Sequence, residues 1–389
     1  MHFGKRRTGK GEMNELTELA RRLVSIDSVN PDLVPGGAGE QEIAEFVADW
    51  LRGAGLEVET VESACGRPSV VGVARGTGGG RSLMLNAHMD TVGVAEVERP
   101  FEARVEGGRL YGRGAYDMKG ALAACMVAAS EAGRLGLRGD VIVAAVADEE
   151  AASVGTIAVL ERLIADAAVV PEFTGLEVCV AHKGFVWLEV ETKGKAAHGS
   201  RHEEGVDAIA KMGKVLVELE NLDVALRSSP SHELLDSGSL HASTVMGGQE
   251  LSSYPERCLL KMERRTVPGE SAQGAEGEVR EILERLAAED PDFAAEVRTT
   301  FVRDPYEVAT EEPIVGLVRE RAAEASGREP VYTGSAGWMD AALLAAAGIP
   351  TVVYGPGGSG AHAAVEWVEL DDLEVLRRVL LSTAEEFCA

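Results

Sequence analysis

Cysteine is scarce in this sequence. The 389 residues hold five, Cys65, Cys125, Cys179, Cys258 and Cys388. Their number is odd and no pair has CxxC spacing. That excludes a disulfide framework or a thiolate metal site, and suits idle thiols in a reducing, cytoplasmic compartment. Positive charge is in the minority: 38 Lys and Arg against 64 Asp and Glu leave a net charge of -26. Nucleic acid and anionic membrane are therefore not expected as partners, because phosphate is held through basic side chains. No apolar run reaches the roughly 18 residues that a membrane-spanning helix needs. The first residues, Met1–Gly11, are basic and polar and lack the apolar core of a secretory signal. Residues 1–12 are expected to be a disordered tail, with Met13 an alternative start. Internal repeats and low-complexity tracts are also lacking.

What is present is an ordinary globular composition, 45% apolar and 26% charged. The length exceeds the roughly 250–300 residues at which a single core stops growing. Leu16, Leu19, Ala20, Leu23 and Val24 mark an amphipathic helix, and Ile43, Phe46, Val47, Trp50 and Leu51 a second. Apolar strands are predicted at Leu56–Val61, Ser69–Val73, Leu83–His88, Val141–Val146, Ala167–Val170 and Thr351–Tyr354, alternating with helices at Lys119–Ala132, Pro313–Ala325 and Asp371–Phe387. This is an α/β pattern, a sheet covered by helices on both faces. From Lys183 the texture changes to alternating strands (Phe185–Glu191, near 238–246 and 256–264, Ala294–Phe301) and helices (Gly205–Glu218, Glu270–Ala287). The simplest account is one domain, 13–182 plus 302–389, interrupted by an α+β insert, 183–301.

Polar residues collect just beyond the apolar strands. In NAHMDTV, His88 and Asp90 lie two apart and emerge on the same side of a strand end. Histidine is the commonest metal ligand, and a nearby carboxylate can orient it. Asp117 stands in the glycine-rich GRGAYDMKG, where it could equally be a helix N-cap. Asp148-Glu149-Glu150 ends the Val141–Ala147 strand, and could equally be the acidic first turn of a helix. Glu172 follows Val169-Val170-Pro171, and His362 follows GPGGSGA. Each alone is commonplace. Together, His88, Asp117, Glu149, Glu150, Glu172 and His362 lie beyond C-terminal strand ends, where open α/β sheets bind ligands. Two histidines with several carboxylates suit zinc first, with cobalt or manganese as alternatives.

These motifs, with VVPEFTG, GKAAHGS, ERRTVPGE, MDAALLAAAGIPTVVYGPGG and AHAAVEWV, resemble the metallopeptidase family of acetylornithine deacetylases, succinyl-diaminopimelate desuccinylases, aminoacylases and glutamate carboxypeptidases. The resemblance runs from about Leu16 to the C-terminus. It implies a zinc-exopeptidase-like domain with a mixed sheet, and an inserted ferredoxin-like lid and dimerisation domain. It implies two divalent metal ions bridged by Asp117, one completed by His88 and Glu172, the other by Glu150 and His362. It implies that Asp90 steadies His88, that Glu149 is the general base, and that the Asp117–Met118 peptide is cis. It implies further that His198 steadies the oxyanion and that Arg265 holds the substrate carboxylate, a task the backbone N–H groups of Gly357 and Gly358 could share. Arg264 is expected to face solvent. Two positions depart from the family pattern: Ser252 stands where many members have asparagine near the substrate, and Val365 where an acid is common. The implied function is hydrolysis of N-acyl amino acids, acetylornithine deacetylase-like, by a homodimer. A dipeptidase or carboxypeptidase is the second reading, and an inactive homologue binding metal or amino acid the third. His232-Glu233-Leu234-Leu235-Asp236 resembles a zinc helix motif but ends in aspartate. His182, His202 and His241 are read as structural.

Overall fold

The computed structural model describes residues 14–62, 64 and 66–389. The expected tail, Met13 and Cys65 lie outside the described residues. The other four cysteines are buried. Helix α1 (Glu15–Val24) is capped by Asn14, whose side chain accepts from the Thr17 N–H at 2.8 Å, and it buries the predicted stripe Leu16, Leu19, Ala20, Leu23 and Val24. Helix α2 (Gln41–Gly53) buries Ile43, Val47 and Leu51 in the same way. Then come β1 (Glu57–Glu62), β2 (Pro68–Ala74), β3 (Leu83–His88) and a short hairpin, β4 (Arg104–Glu106) and β5 (Arg109–Tyr111). Next are α3 (Gly120–Ala132), β6 (Val141–Val146), α4 (Val154–Leu160), β7 (Ala167–Val170) and β8 (Val178–His182). The middle of the chain carries β9 (Gly184–Lys193), α5 (Ala208–Arg227), β10 (Ser239–Gly247), β11 (Arg257–Thr266), α6 (Ala272–Glu289) and β12 (Ala294–Arg303). The remainder is β13 (Tyr306–Glu307), α7 (Pro313–Ser326), β14 (Tyr332–Ser335), α8 (Ala341–Ala346), β15 (Thr351–Val353), β16 (Gly358–Ser359), β17 (Trp367–Glu369) and α9 (Leu370–Phe387). No helix among the described residues is long and apolar enough to cross a membrane.

The chain forms two compact units. One comprises the described residues through Cys179, Val308–Tyr332 and Leu343–Ala389; the other comprises Val180–Glu307 and Thr333–Ala342. In the first, β3 lies parallel between β6 and β7, and β15 is parallel to β7. The four strands β6-β3-β7-β15 therefore end along one edge. Strand β2 adds to β6 and β1 to β2, both antiparallel. Strands β2, β3, β6 and β7 are buried at every residue, as strands covered on both faces must be. Each buried valine or leucine there contributes about 1.5–3 kcal/mol of hydrophobic stabilisation. The alanine-rich α3 is buried along almost its whole length and packs against α1 and α9. A second, small antiparallel sheet, β16-β17-β5-β4, ties the segment around His362 to the segment just before Asp117.

The second unit is an antiparallel sheet, β10-β11-β9-β12, with α5 and α6 packed on one face. Val186, Leu188 and Val190 of β9, Leu260 and Met262 of β11, Val215 and Leu219 of α5, and Val279 and Leu283 of α6 form its core. Arg264 corrects an expectation here. It shares the parity of Leu260 and Met262, so it points to the helix side, where it is 1% exposed and pairs with Glu278 and Glu270 at 3.0 and 2.8 Å. Arg265 takes the other face and is the partly exposed member of the pair. Alternation separates neighbours but does not say which side the helices cover.

Candidate metal centre

Three of the four parallel strands deliver a side chain to the shared edge. His88 is the last residue of β3, Glu149 and Glu150 follow β6, and Glu172 follows β7. Asp117 reaches the same place from one wide turn, Ala115–Lys119, ahead of α3, and the Asp117–Met118 peptide is cis. Asp117 is therefore no N-cap of α3. The acidic triplet is not a first helical turn either, since α4 begins only at Val154. His362 sits between β16 and β17 with φ +61°.

The two oxygens of Asp117 face two histidines. Oδ1 is 3.0 Å from His88 Nε2, and Oδ2 is 3.2 Å from His362 Nε2. Glu172 Oε1 lies 3.5 Å from His88 Nε2, and Glu150 Oε2 lies 3.1 Å from His362 Nε2. Ligand atoms of His88, Asp117 and Glu150 fall within 4.8 Å of one another, as do those of His88, Glu149 and Glu172. Burial pushes Asp117 up, but its bonds to His362 and His88 outweigh that and hold it below the usual carboxylate range. The bonds to Asp117 and Glu150 lift His362 to about 10. Burial would lower His88, yet Asp117 and Asp90 keep it well above its ordinary value. Burial, reinforced by the Asp117 charge, raises Glu150. The cluster favours positive charge between its side chains.

A divalent metal fits this donor set. Two imidazoles and several carboxylates are borderline to hard ligands, and Glu150 Oε1 is buried with no hydrogen-bond partner among the described residues. A buried carboxylate oxygen without a partner is costly unless something positive meets it. Other groups fix the ligand positions. The Asp90 carbonyl oxygen lies 3.0 Å from His88 Nδ1, and the Asp90 carboxylate accepts the Glu149 and Glu150 N–H groups at 3.1 and 3.2 Å. The Tyr116 and Phe173 rings, beside Asp117 and Glu172, stack with centroids 4.7 Å apart.

Glu366 was not singled out by sequence. It is buried, pairs with Arg113 at 2.6 Å, and accepts the N–H groups of Gly114, Tyr116 and Asp117 at 3.0–3.1 Å. The available signal was its spacing, four residues after His362.

Comparison with known proteins decides the kinship. The model of peptidase family M20/M25/M40 matches residues 84–386. The chain belongs to this family. It is a hydrolytic enzyme of a metal-dependent family, and the resemblance read in the sequence is borne out. The acetylornithine deacetylase of Myxococcus xanthus is 30% identical over 96% of this chain and 96% of its own length. The N-formyl-4-amino-5-aminomethyl-2-methylpyrimidine deformylase of Halalkalibacterium halodurans is 29% identical over 96% of this chain and 94% of its own. Among solved structures, the aminopeptidase PepT of Bacillus cereus superposes with a TM-score of 0.80 at 21% identity, covering 96% of this chain and 98% of that one.

The remaining predicted residues of this M20 chain are placed as follows. His198 lies on an exposed loop of the second unit, with Nδ1 2.8 Å from Ser200 Oγ. The backbone brings it beside Ser252, whose carbonyl accepts the Gly199 N–H at 2.7 Å. Arg265 donates from Nε to Glu263 at 2.7 Å and stacks 5.0 Å from the Phe185 ring. Gly357 needs correction as a carboxylate donor: its N–H is already given to Asp372 Oδ2 at 2.8 Å. Gly358 pairs with Val368 in the small sheet, where a Cβ would meet the Trp367 carbonyl at 2.4 Å. The segment His232–Asp236 is a tight turn and not a zinc helix.

Proposed function

We propose that the chain hydrolyses the amide of small N-acyl amino acids, in the manner of an acetylornithine deacetylase. The observation that carries the reading is the Asp117 carboxylate, with one oxygen toward His88 and the other toward His362. In this reading His88, Asp117 and Glu172 hold one divalent ion, and Asp117, Glu150 and His362 the other, zinc being the first choice on ligand type. When bound, such ions acidify water and polarise the amide carbonyl. Glu149 is the base. It is only half-buried, unlike Asp117 and Glu172, which leaves it accessible to incoming water. It takes a proton from water, the hydroxide oxygen attacks the amide carbon, and Glu149 returns the proton to the amine nitrogen as the C–N bond breaks.

The names of the two relatives describe removal of an acetyl and a formyl group, which favours a short acyl group over a peptide. The second unit serves as a lid, with His198 steadying the oxyanion and Arg265 gripping the substrate carboxylate by its guanidinium fork. The enzyme works as a homodimer joined through that unit in the cytoplasm.

The test is amine release from N-acetylornithine, other N-acetyl and N-formyl amino acids, N-succinyl-diaminopimelate and dipeptides, after chelation and resupply of zinc, cobalt or manganese. Metal-restored turnover that falls at least about a thousandfold in Glu149→Ala, with metal still bound, supports the reading. Turnover of dipeptides alone would replace it with a peptidase, and a Glu149→Ala enzyme of undiminished rate would remove Glu149 as base.

A further inference from the structure

Behind the acidic turn runs a chain of buried polar side chains. Arg67 is 6% exposed and forks onto Glu40 through Nε and Nη2 at 2.7 and 2.8 Å. Its Nη2 also reaches Asp148 Oδ1 at 2.7 Å, and its Nη1 meets Asp32. Asp148 Oδ1 accepts a second bond, from Asn30 Nδ2 at 3.0 Å. The same Asn30 amide donates to Asp90 Oδ2 at 2.8 Å. Asp90 is the group that holds the Glu149 and Glu150 N–H groups. Glu40, Asp148, Asn30 and Asp90 are all fully buried.

Two features set this apart from an ordinary buried ion pair. The chain of bonds ends on the backbone of the two glutamates. Moreover, Asp148 itself turns the main chain there: its φ is +69°, and its carbonyl accepts the Ala152 and Ser153 N–H groups at 3.1 and 2.5 Å. A non-glycine residue in that left-handed region is held by its surroundings, and the Arg67 fork with the Asn30 amide is what grips its side chain. Arg67 is also the one cation in this chain of bonds, set against the buried carboxylates of Glu40 and Asp148.

We propose that Arg67 is a positioning residue for hydrolysis. Through Asp148, Asn30 and Asp90, its planar fork sets where the Glu149 and Glu150 carboxylates stand. The inference rests on the reading of Glu149 as base and Glu150 as metal ligand. It is tested with the full chain. Arg67→Lys keeps the charge but lacks the fork. Outer partners of metal ligands are worth about 10–100-fold in affinity or activity. The variant is expected to bind cobalt(II) about 10–100-fold more weakly, followed by visible absorption, and to lose a similar factor in kcat, with KM within about threefold. A variant with wild-type cobalt affinity and kcat overturns the proposal, whatever its melting temperature, because Arg67 would then serve stability alone. If Arg67→Lys does not fold, Asn30→Ala decides: it cuts the link between Asp148 and Asp90, and unchanged kcat and cobalt affinity there overturn the proposal as well. If the wild-type chain turns over no substrate on the panel, the activity reading fails by itself, and the cobalt titration still judges Arg67.

Discussion

Asp90 and Glu366 show how single residues build this site without facing its centre. Both are buried carboxylates that spend their lone pairs on backbone N–H groups, Asp90 on Glu149 and Glu150, Glu366 on Gly114, Tyr116 and Asp117. Each fixes a turn that carries a proposed ligand. A different residue-scale effect is found in the second unit, where His182 is fully buried against Tyr306 with ring centroids 5.0 Å apart. Burial disfavours its charged form and lowers it to about 4. The unfolded chain takes up this proton near its ordinary pKa of about 6.5, the folded one only near 4. Between those values the unfolded state binds more protons, so stability falls as pH drops through that window. His182→Phe is expected to remove up to one proton from the slope of unfolding free energy against pH between about 6.5 and 4, measured by urea titration at stepped pH. An unchanged slope would show that other groups govern the acid limb. Some of the site's residues are legible from sequence: His88, Asp117, Glu150, Glu172 and His362 announce themselves as polar residues past apolar strands. Glu366 does not, because its meaning lies in N–H groups some 250 positions away.

At the scale of elements, the long apolar runs were legible because buried strands and amphipathic helices repeat their signal over many residues. Strands β4, β5, β16 and β17 have two or three residues each, too few for a period of two to accumulate. The small sheet that carries His362 toward Asp117 was therefore invisible. The alternative of a first helical turn at Asp148–Glu150 fails for a related reason. Acidic residues suit a first helical turn, but Asp148 and Ser153 both have positive φ, and the helix waits until Val154. It then packs so tightly on the end of β6 that a Cβ at Gly155 would meet Ala147 N and O at 2.4 and 2.5 Å. Those are backbone atoms and cannot swing aside. Gly155→Ala is expected to cost about 1–3 kcal/mol, the usual range for overpacking, read from the shift in urea midpoint. It should also lower turnover, since the displaced segment abuts the Glu149–Glu150 turn. A variant as stable as the wild type would mean that α4 can move away from β6 without loss.

At the scale of the whole molecule, a chain of net charge -26 resists casual association, because like-charged surfaces repel. A dimer has to be built at a surface where charge is withheld. Among the described residues, the sheet order β10-β11-β9-β12 leaves β10 with one bare edge. Its nine residues, Ser-Leu-His-Ala-Ser-Thr-Val-Met-Gly, include no Lys, Arg, Asp, Glu or Pro, and seven of them are exposed. Val245 and Met246 are 54% and 58% exposed, and neighbouring α5 exposes Val217 and Val224. Edge strands normally carry charge or proline as a defence against pairing. An undefended edge on so acidic a chain fits a second copy of itself, β10 against β10 about a two-fold axis. Light scattering of the purified chain should return the mass of two copies. Val245→Pro removes an N–H donor and Met246→Asp adds charge, so the double variant should return the mass of one. A wild-type chain that is monomeric at tens of micromolar, or a double variant that stays dimeric, would show that β10 is not the joint.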